Sequence, residues 1–164
     1  MTAEKIYIRA AGSADILILS DLIRVSFRDV AERFALTLEN CPKHPSHCTD
    51  EWVKNDFVRG AAYYILEHDG APVGCVALEK ANPELCYLER LGVLPRSRRK
   101  GFGKALVDHV FYEASSLGAK QISVGIISDD TELQLWYQRI GFVEKETKEF
   151  AHLPFLVTFM SYEL

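Results

Sequence analysis

The order of strand-like and helix-like segments predicts a mixed α/β (α+β) domain: one twisted, mostly antiparallel sheet of about seven strands flanked by four helices. Three observations carry that expectation. Two helical patterns precede the first long β-rich region. Three consecutive strand runs are then joined by short turns at Asp69-Gly70 and Asn82-Pro83, which makes an antiparallel meander. Finally, a helical pattern over residues 105–117 lies between two strand runs, the crossover that a parallel pair requires.

Taken in order, the run Ile6-Tyr7-Ile8-Arg9 predicts the first strand. Ser13 is placed to cap the next helix. Ile16, Leu19, Ile23, Phe27, Val30 and Phe34 recur at three- and four-residue intervals, so a single amphipathic helix is expected to reach about residue 34. Residues 40–48 hold Pro42 and Pro45 and read as a loop. Thr49 reads as an N-cap, with Asp50 and Glu51 favoured in the first turn by the helix dipole, and that helix should end near Gly60. Residues 62–67 and 73–78 form a hairpin about Asp69-Gly70, and residues 85–94 add a third strand that Pro95 stops. The helix over 105–117 has apolar Leu106, Val107, Val110, Phe111 and Ala114, and Gly118 closes it. Residues 121–127 read as a buried strand. Asp130 caps a further helix that runs to Arg139 and ends at Gly141, and strands near 142–150 and 155–162 finish the chain. With no repeat, low-complexity tract or linker, residues 1–164 read as a single domain.

Composition narrows the function. The chain is 48% hydrophobic and 26% charged, an ordinary globular balance, and no stretch is apolar enough to cross a bilayer. The opening Met-Thr-Ala-Glu-Lys lacks the apolar core of a signal peptide, so a cytoplasmic location is expected, and the four cysteines are expected to be reduced thiols. A net charge of −4 argues against a general nucleic-acid binder. Yet Arg96, Arg98, Arg99, Lys100 and Lys104 crowd into one short stretch. That island is too short, and too poor in aromatics beyond Phe102, for RNA binding; it suggests a local anionic ligand.

The island lies where a strand ends, a glycine-containing loop turns and a helix begins. Helix starts offer unpaired N–H groups and the positive end of the dipole. Gly101 and Gly103 let a phosphate approach the backbone, and Arg98, Arg99 and Lys104 add charge. Together these read as a diphosphate site, the alternative being a solvated basic helix entry with ordinary loop glycines. A P-loop would need Ser or Thr after the lysine, whereas Ala105 follows Lys104; the dinucleotide fingerprint fails because Leu106 stands where its third glycine belongs.

The segment Arg98-Arg99-Lys100-Gly101-Phe102-Gly103 resembles motif A of the GNAT family of N-acetyltransferases, Arg/Gln-x-x-Gly-x-Gly/Ala. The preceding Tyr87-Leu88-Glu89-Arg90-Leu91-Gly92-Val93 looks like that family's fourth strand. Leu135-Trp136-Tyr137-Gln138-Arg139-Ile140-Gly141-Phe142 looks like its Leu-Tyr-x-x-x-Gly-Phe stretch. The element order also matches the GNAT fold, so the resemblance covers nearly the whole chain.

The resemblance implies an acetyl-CoA-dependent N-acyltransferase, acting on a primary amine of a small molecule or peptide by direct attack in a ternary complex. It places the CoA diphosphate on the backbone of Arg98, Arg99, Lys100, Gly101, Phe102, Gly103 and Lys104, and the pantetheine arm along the edge of Leu91, Gly92 and Val93. Such chemistry wants a base for the ammonium, an oxyanion donor and an acid for the thiolate. By resemblance Tyr137 is the acid and Glu89 the base, directly or through water, while a backbone N–H near Leu91 is the oxyanion donor. As structural alternatives, Tyr137 is a core aromatic and Glu89 a solvated strand residue paired with Arg90. Asp130 stands where the family often has an Asn on the pantetheine arm; Asp cannot donate as an amide does, and the residue also reads as a helix cap.

Cys41-Pro42-Lys43-His44-Pro45-Ser46-His47-Cys48 is the oddest segment. Its two Cys and two His suggest zinc, but His47 and Cys48 are adjacent where ligand pairs usually have at least two intervening residues, so no metal is expected. It reads as a proline-stiffened connection, or as a substrate-facing loop in which His44 or His47 contacts the acceptor. Glu39, Asp50 and Glu51, on the presumed pocket side, favour a cationic acceptor. A catalytically silent acyl-CoA sensor is the other reading, and one that would be free to lose Tyr137 and Glu89. The resemblance also allows a homodimer through the last two strands.

Overall fold

A computed structural model describes residues 5–164. Seven strands, β1 (Ile6–Ala10), β2 (Ala62–His68), β3 (Ala71–Lys80), β4 (Leu85–Val93), β5 (Gln121–Ile127), β6 (Val143–Lys148) and β7 (Val157–Glu163), form one sheet in the order β1-β2-β3-β4-β5-β7-β6. Every neighbouring pair is antiparallel except β4 and β5. The helices are α1 (Ile16–Ser26), α2 (Arg28–Arg33), α3 (Asp50–Arg59), α4 (Phe102–Ser116) and α5 (Thr131–Ile140). Among the described residues no helix is long and apolar enough to cross a membrane.

Side-chain alternation along the strands builds a core on each face of the sheet. Tyr63 and Ile65 of β2 pack with Cys75 of β3 against Leu19 and Ile23 of α1 and Val53 of α3. Tyr64 and Leu66 turn the other way, joining Leu88 and Ile122 beneath Leu106, Val107 and Val110 of α4. Burying each such side chain contributes about 1.5–3 kcal/mol. The four cysteines are buried free thiols, Cys75 and Cys86 within these two cores. The edge strand β6 is exposed throughout and carries Glu144, Lys145, Glu146 and Lys148, charges that discourage pairing with another edge.

Three local expectations are corrected. The helix expected to reach residue 34 is divided at Phe27 (φ −100°, ψ 0°), giving α1 and α2, because the chain turns there to pass beside the end of β4. Ser13 makes no cap hydrogen bond; Asp15 instead accepts the Gly12 N–H at 2.9 Å and takes both ends of the Arg9 guanidinium. Helix α4 starts at Phe102, inside the glycine loop, rather than after it. The caps at Thr49 and Asp130 stand as expected, accepting the Trp52 and Leu133 N–H groups at 3.3 Å each.

Candidate active site

The parallel pair is short. β4 and β5 pair only at Leu85–Gln121, Cys86–Ile122 and Tyr87–Ser123, then diverge. Where they part, β4 carries a bulge: between the pairs Cys75–Gly92 and Ala77–Glu89, β3 supplies Val76 alone while β4 supplies Arg90 and Leu91. Arg90 takes φ +52°, unusual for a side chain with a Cβ. The extra residue lets Glu89 and Arg90, neighbours in sequence, both reach the face covered by α1 and α3. The divergence leaves a cleft of about 630 Å³ through the sheet, lined on the β4 side by Glu89 and Leu91 and on the β5 side by Val124 and Ile126.

Beyond the bulge the backbone is aimed. The Leu94 N–H returns to Val73 O at 2.8 Å, so the alternation of a strand turns the backbone groups of Val93 and Leu91 away from β3; Leu91 lines the cleft, and the Val93 carbonyl is taken by Arg98 at 3.0 Å. Gly92 between them is needed for packing: a Cβ there would lie 2.7 Å from the Ser26 Cβ at the end of α1.

A cradle for an anion follows directly. Arg99 and Gly101 take positive φ (64° and 83°) on either side of Lys100, an alternation that turns successive N–H groups into a concavity. The first ladder bond of α4 is Ala105 N–H to Gly101 O at 3.0 Å, so the N–H groups of Phe102, Gly103 and Lys104 have no partner within the helix. Nothing lies within 4 Å of where a Gly101 Cβ would be, and one on Gly103 would stand 3.2 Å from the Trp136 ring. This open, donor-rich turn fits a diphosphate. Arg99, Lys100 and Lys104 are exposed beside it, Lys104 pairing with Asp108 at 2.7 Å. Arg98 differs from expectation. Its guanidinium points inward to Val93 O (3.0 Å), Ser26 O (2.7 Å) and Asp29 (2.9 and 3.1 Å), so it braces the loop instead of presenting a free charge.

Glu89 and Tyr137 both line the cleft. Burial, together with the carboxylate of Glu79, pushes the Glu89 carboxyl up to about 7, with Arg90 and Arg59 opposing. Glu79, diagonal to it across β3 and β4, shares a hydrogen bond with it and is held below the usual carboxylate range by Arg59 at 2.9 and 3.2 Å. Tyr137 is 4% exposed, and burial raises the pKa of its phenol, which keeps the proton on. It has no hydrogen-bond partner among the described residues, although a buried tyrosine hydroxyl normally finds one.

Asp130 caps α5 and pairs with Arg33 of α2 at 3.3 Å, while also lining the cleft. His44 lines it too. Its Nδ1 accepts the Ser46 N–H at 3.2 Å, its ring meets Phe27 edge-on, and burial followed by the proximity of His47 pushes its pKa down to about 4. His47 is outside the lining, its Nε2 buried and without a partner. The acidic trio expected to favour a cation is absent from the lining as well; Asp50 instead accepts the Ser20 hydroxyl. Sequence reading missed Lys43, Arg59 and Arg90, which do line the cleft: the bulge brings Arg90, the packing of α3 brings Arg59, and the loop before α3 brings Lys43.

Splayed sheet, cleft and cradle together define the acetyltransferase class of α/β proteins. The chain superposes on the PaiA N-acetyltransferase of Thermoplasma acidophilum, solved with coenzyme A, with a TM-score of 0.80 at 18% identity, covering 96% of this chain and 99% of that one. A GNAT family acetyltransferase of Elizabethkingia anophelis, solved with acetyl-CoA, gives 0.70 at 17% identity, over 97% and 98%. The chain belongs to the acetyltransferase (GNAT) family, whose sequence pattern matches residues 26–142. It is 25% identical over 118 residues to the Uncharacterized N-acetyltransferase YjgM of Escherichia coli K12, spanning 70% of this chain and 71% of that protein. It is 28% identical over 97 residues, 58% of its length, to the Amino-acid acetyltransferase of Neisseria meningitidis, but the match spans only 21% of that longer protein.

Proposed function

We propose that the protein transfers an acetyl group from acetyl-CoA to a primary amine, by direct attack with both substrates bound. The observation that carries this reading is that Glu89 and Tyr137 line one cleft, Glu89 on the strand that runs on into the donor-rich turn at the start of α4. Acetyl-CoA, when bound, supplies a thioester carbonyl for attack and a thiolate as leaving group. The first turn of α4 and the loop from Arg99 hold the diphosphate, and the backbone of Leu91 with the Val93 N–H, turned away from β3, holds the pantetheine arm as an added strand would.

Glu89, with its carboxyl near 7, accepts a proton from the incoming ammonium, directly or through one water. The Leu91 N–H is turned toward the cleft and serves as oxyanion donor. Tyr137, kept protonated by burial, delivers its proton to the departing sulfur, and the second proton shed by the acceptor nitrogen as it becomes an amide restores the phenol. Support comes from family membership and from the relatives solved with acetyl-CoA and coenzyme A.

A thermal-shift titration with acetyl-CoA, CoA, ATP and NAD tests the cradle, since a ligand of the folded state alone raises Tm by mass action. A rise confined to the CoA species is expected, followed by amine-dependent thiol release. No rise with CoA overturns the reading. A rise with no thiol release from any amine makes the chain a CoA-binding module.

A further inference from the structure

The side of the cleft bordered by α3 and the loop before it is supplied with donors and cations, although the chain as a whole carries −4. Lys43, Arg59 and Arg90 line both the cleft and a depression of about 300 Å³ beside it. Arg59 is already taken by Asp56 (2.8 Å) and Glu79. Arg90 is not. It lies over the Trp52 ring at 5.6 Å, its one ion pair within 4 Å among the described residues is with Asp56 at 3.6 Å, and it also approaches the Cys48 sulfur at 4.0 Å. Neither contact is a full charge-assisted hydrogen bond. Asp56 is itself divided among Arg59, Arg90 and the Tyr63 hydroxyl, which donates at 2.6 Å. Lys43 has no ion pair among the described residues.

His44 adds an independent observation. The residue is 6% exposed, and because Nδ1 accepts from Ser46, the proton of the neutral ring sits on Nε2. That N–H has no partner among the described residues and its ring borders the cleft. Glu89 therefore shares the cleft with three donors that lack a strong acceptor.

Resting on the acetyl-transfer reading above, we propose that the acceptor is a small amine bearing a compact oxyanion, held by Lys43, Arg90 and His44 while its amino group lies against Glu89. Phe27, Val30 and Phe155 give the rest of the cleft an apolar wall, so the acceptor's body is apolar. A carboxylate and a phosphonate present the same chemistry to these donors. A polyamine presents the opposite charge.

The test uses the full chain, acetyl-CoA and matched amines: L-leucine and L-phenylalanine, their aminophosphonate counterparts, and isoamylamine and phenethylamine, which lack the acid group. Thiol release should show kcat/KM at least about ten-fold higher for one of the two acidic sets, and which set leads identifies the oxyanion. Lys43→Ala, at an exposed position, should raise KM for the acidic acceptors about ten-fold and leave KM for the amines without an acid group unchanged. Calorimetry with CoA on the same preparation separates the two readings. If CoA binds, the inference is overturned by equal or better turnover of the amines without an acid group, by turnover of no acidic member, or by an equal effect of Lys43→Ala on both sets. If CoA does not bind, the underlying reading falls as well.

Discussion

Arg98 grips Asp29 through paired hydrogen bonds of 2.9 and 3.1 Å, joining the loop after β4 to α2 across 69 positions of sequence. Burial pushes the Asp29 carboxyl up, but the Arg98 hydrogen bonds outweigh it and hold the group below the usual carboxylate range. The same guanidinium ties down Val93 O and Ser26 O. One side chain thus fixes the end of the pantetheine edge, the end of α1 and the start of the cradle together. Arg98→Ala should lower stability by about 1–2 kcal/mol, modest because both partners are over a third exposed, and so lower Tm by about 3–6 °C. The CoA-induced rise in Tm should shrink in the same experiment. An undiminished rise would mean that the loop holds its shape without the brace.

Gly92 reports on packing more than on ligand approach. Its missing Cβ would meet the Ser26 Cβ at 2.7 Å and the Phe27 ring at 3.4 Å. Gly92→Ala must therefore push the end of α1 off β4 or shift the strand, at a cost of about 1–3 kcal/mol. Thermal unfolding should show the loss. A variant as stable as the wild type would show that the junction of α1 and α2 yields freely.

Most of the fold was legible because it depends on periodicity and punctuation. The Asp69-Gly70 turn, the Thr49 and Asp130 caps and the buried run of β5 are local signals, and each element forms where its residues indicate. The cradle was legible for the same reason, since strand, loop and helix start are contiguous. The acceptor side was not. Arg90 reaches the α3 face only because β4 bulges, and Arg59, Glu79 and Glu89 meet only because α3 packs beside the β3–β4 pair. No spacing encodes that juxtaposition. The role of Arg98 was also hidden, because a basic loop residue that braces two helices reads the same as one that awaits a phosphate.

Tyr137 separates chemistry from binding. Its ring packs edge-on against Trp136 and Phe142, at 5.0 and 5.1 Å between centroids, and those contacts survive loss of the hydroxyl. Tyr137→Phe should therefore melt within a degree or so of the wild type, about the size expected when no folded-state hydrogen bond is lost. Turnover should fall about hundred-fold, the scale of one general acid, with KM for acetyl-CoA moving less than about three-fold. Intact turnover would remove Tyr137 from the mechanism and leave it a core aromatic.

Glu89 makes two pH-dependent claims with different signs. As the base it acts when ionised, so the ratio of wild-type to Glu89→Gln kcat/KM should climb with pH, bend at about 7 and then level. Taking the ratio cancels the ionisation of the amine itself. In stability the same group runs the other way. Its carboxyl titrates near 4.5 when unfolded and about 7 when folded, so the folded chain holds the proton more tightly, and the stability this contributes is complete below 4.5 and lost as pH rises through 7. Above 7 the wild type keeps an ionised Glu89 beside Glu79, whereas the variant does not. Glu89→Gln should accordingly gain Tm relative to wild type at pH 8 and show no such gain at pH 4.5. A flat activity ratio with the stability crossover intact would leave the buried carboxyl pair real and assign the proton to water. Loss of the crossover would mean that Arg59 and Arg90 neutralise both carboxylates at every pH.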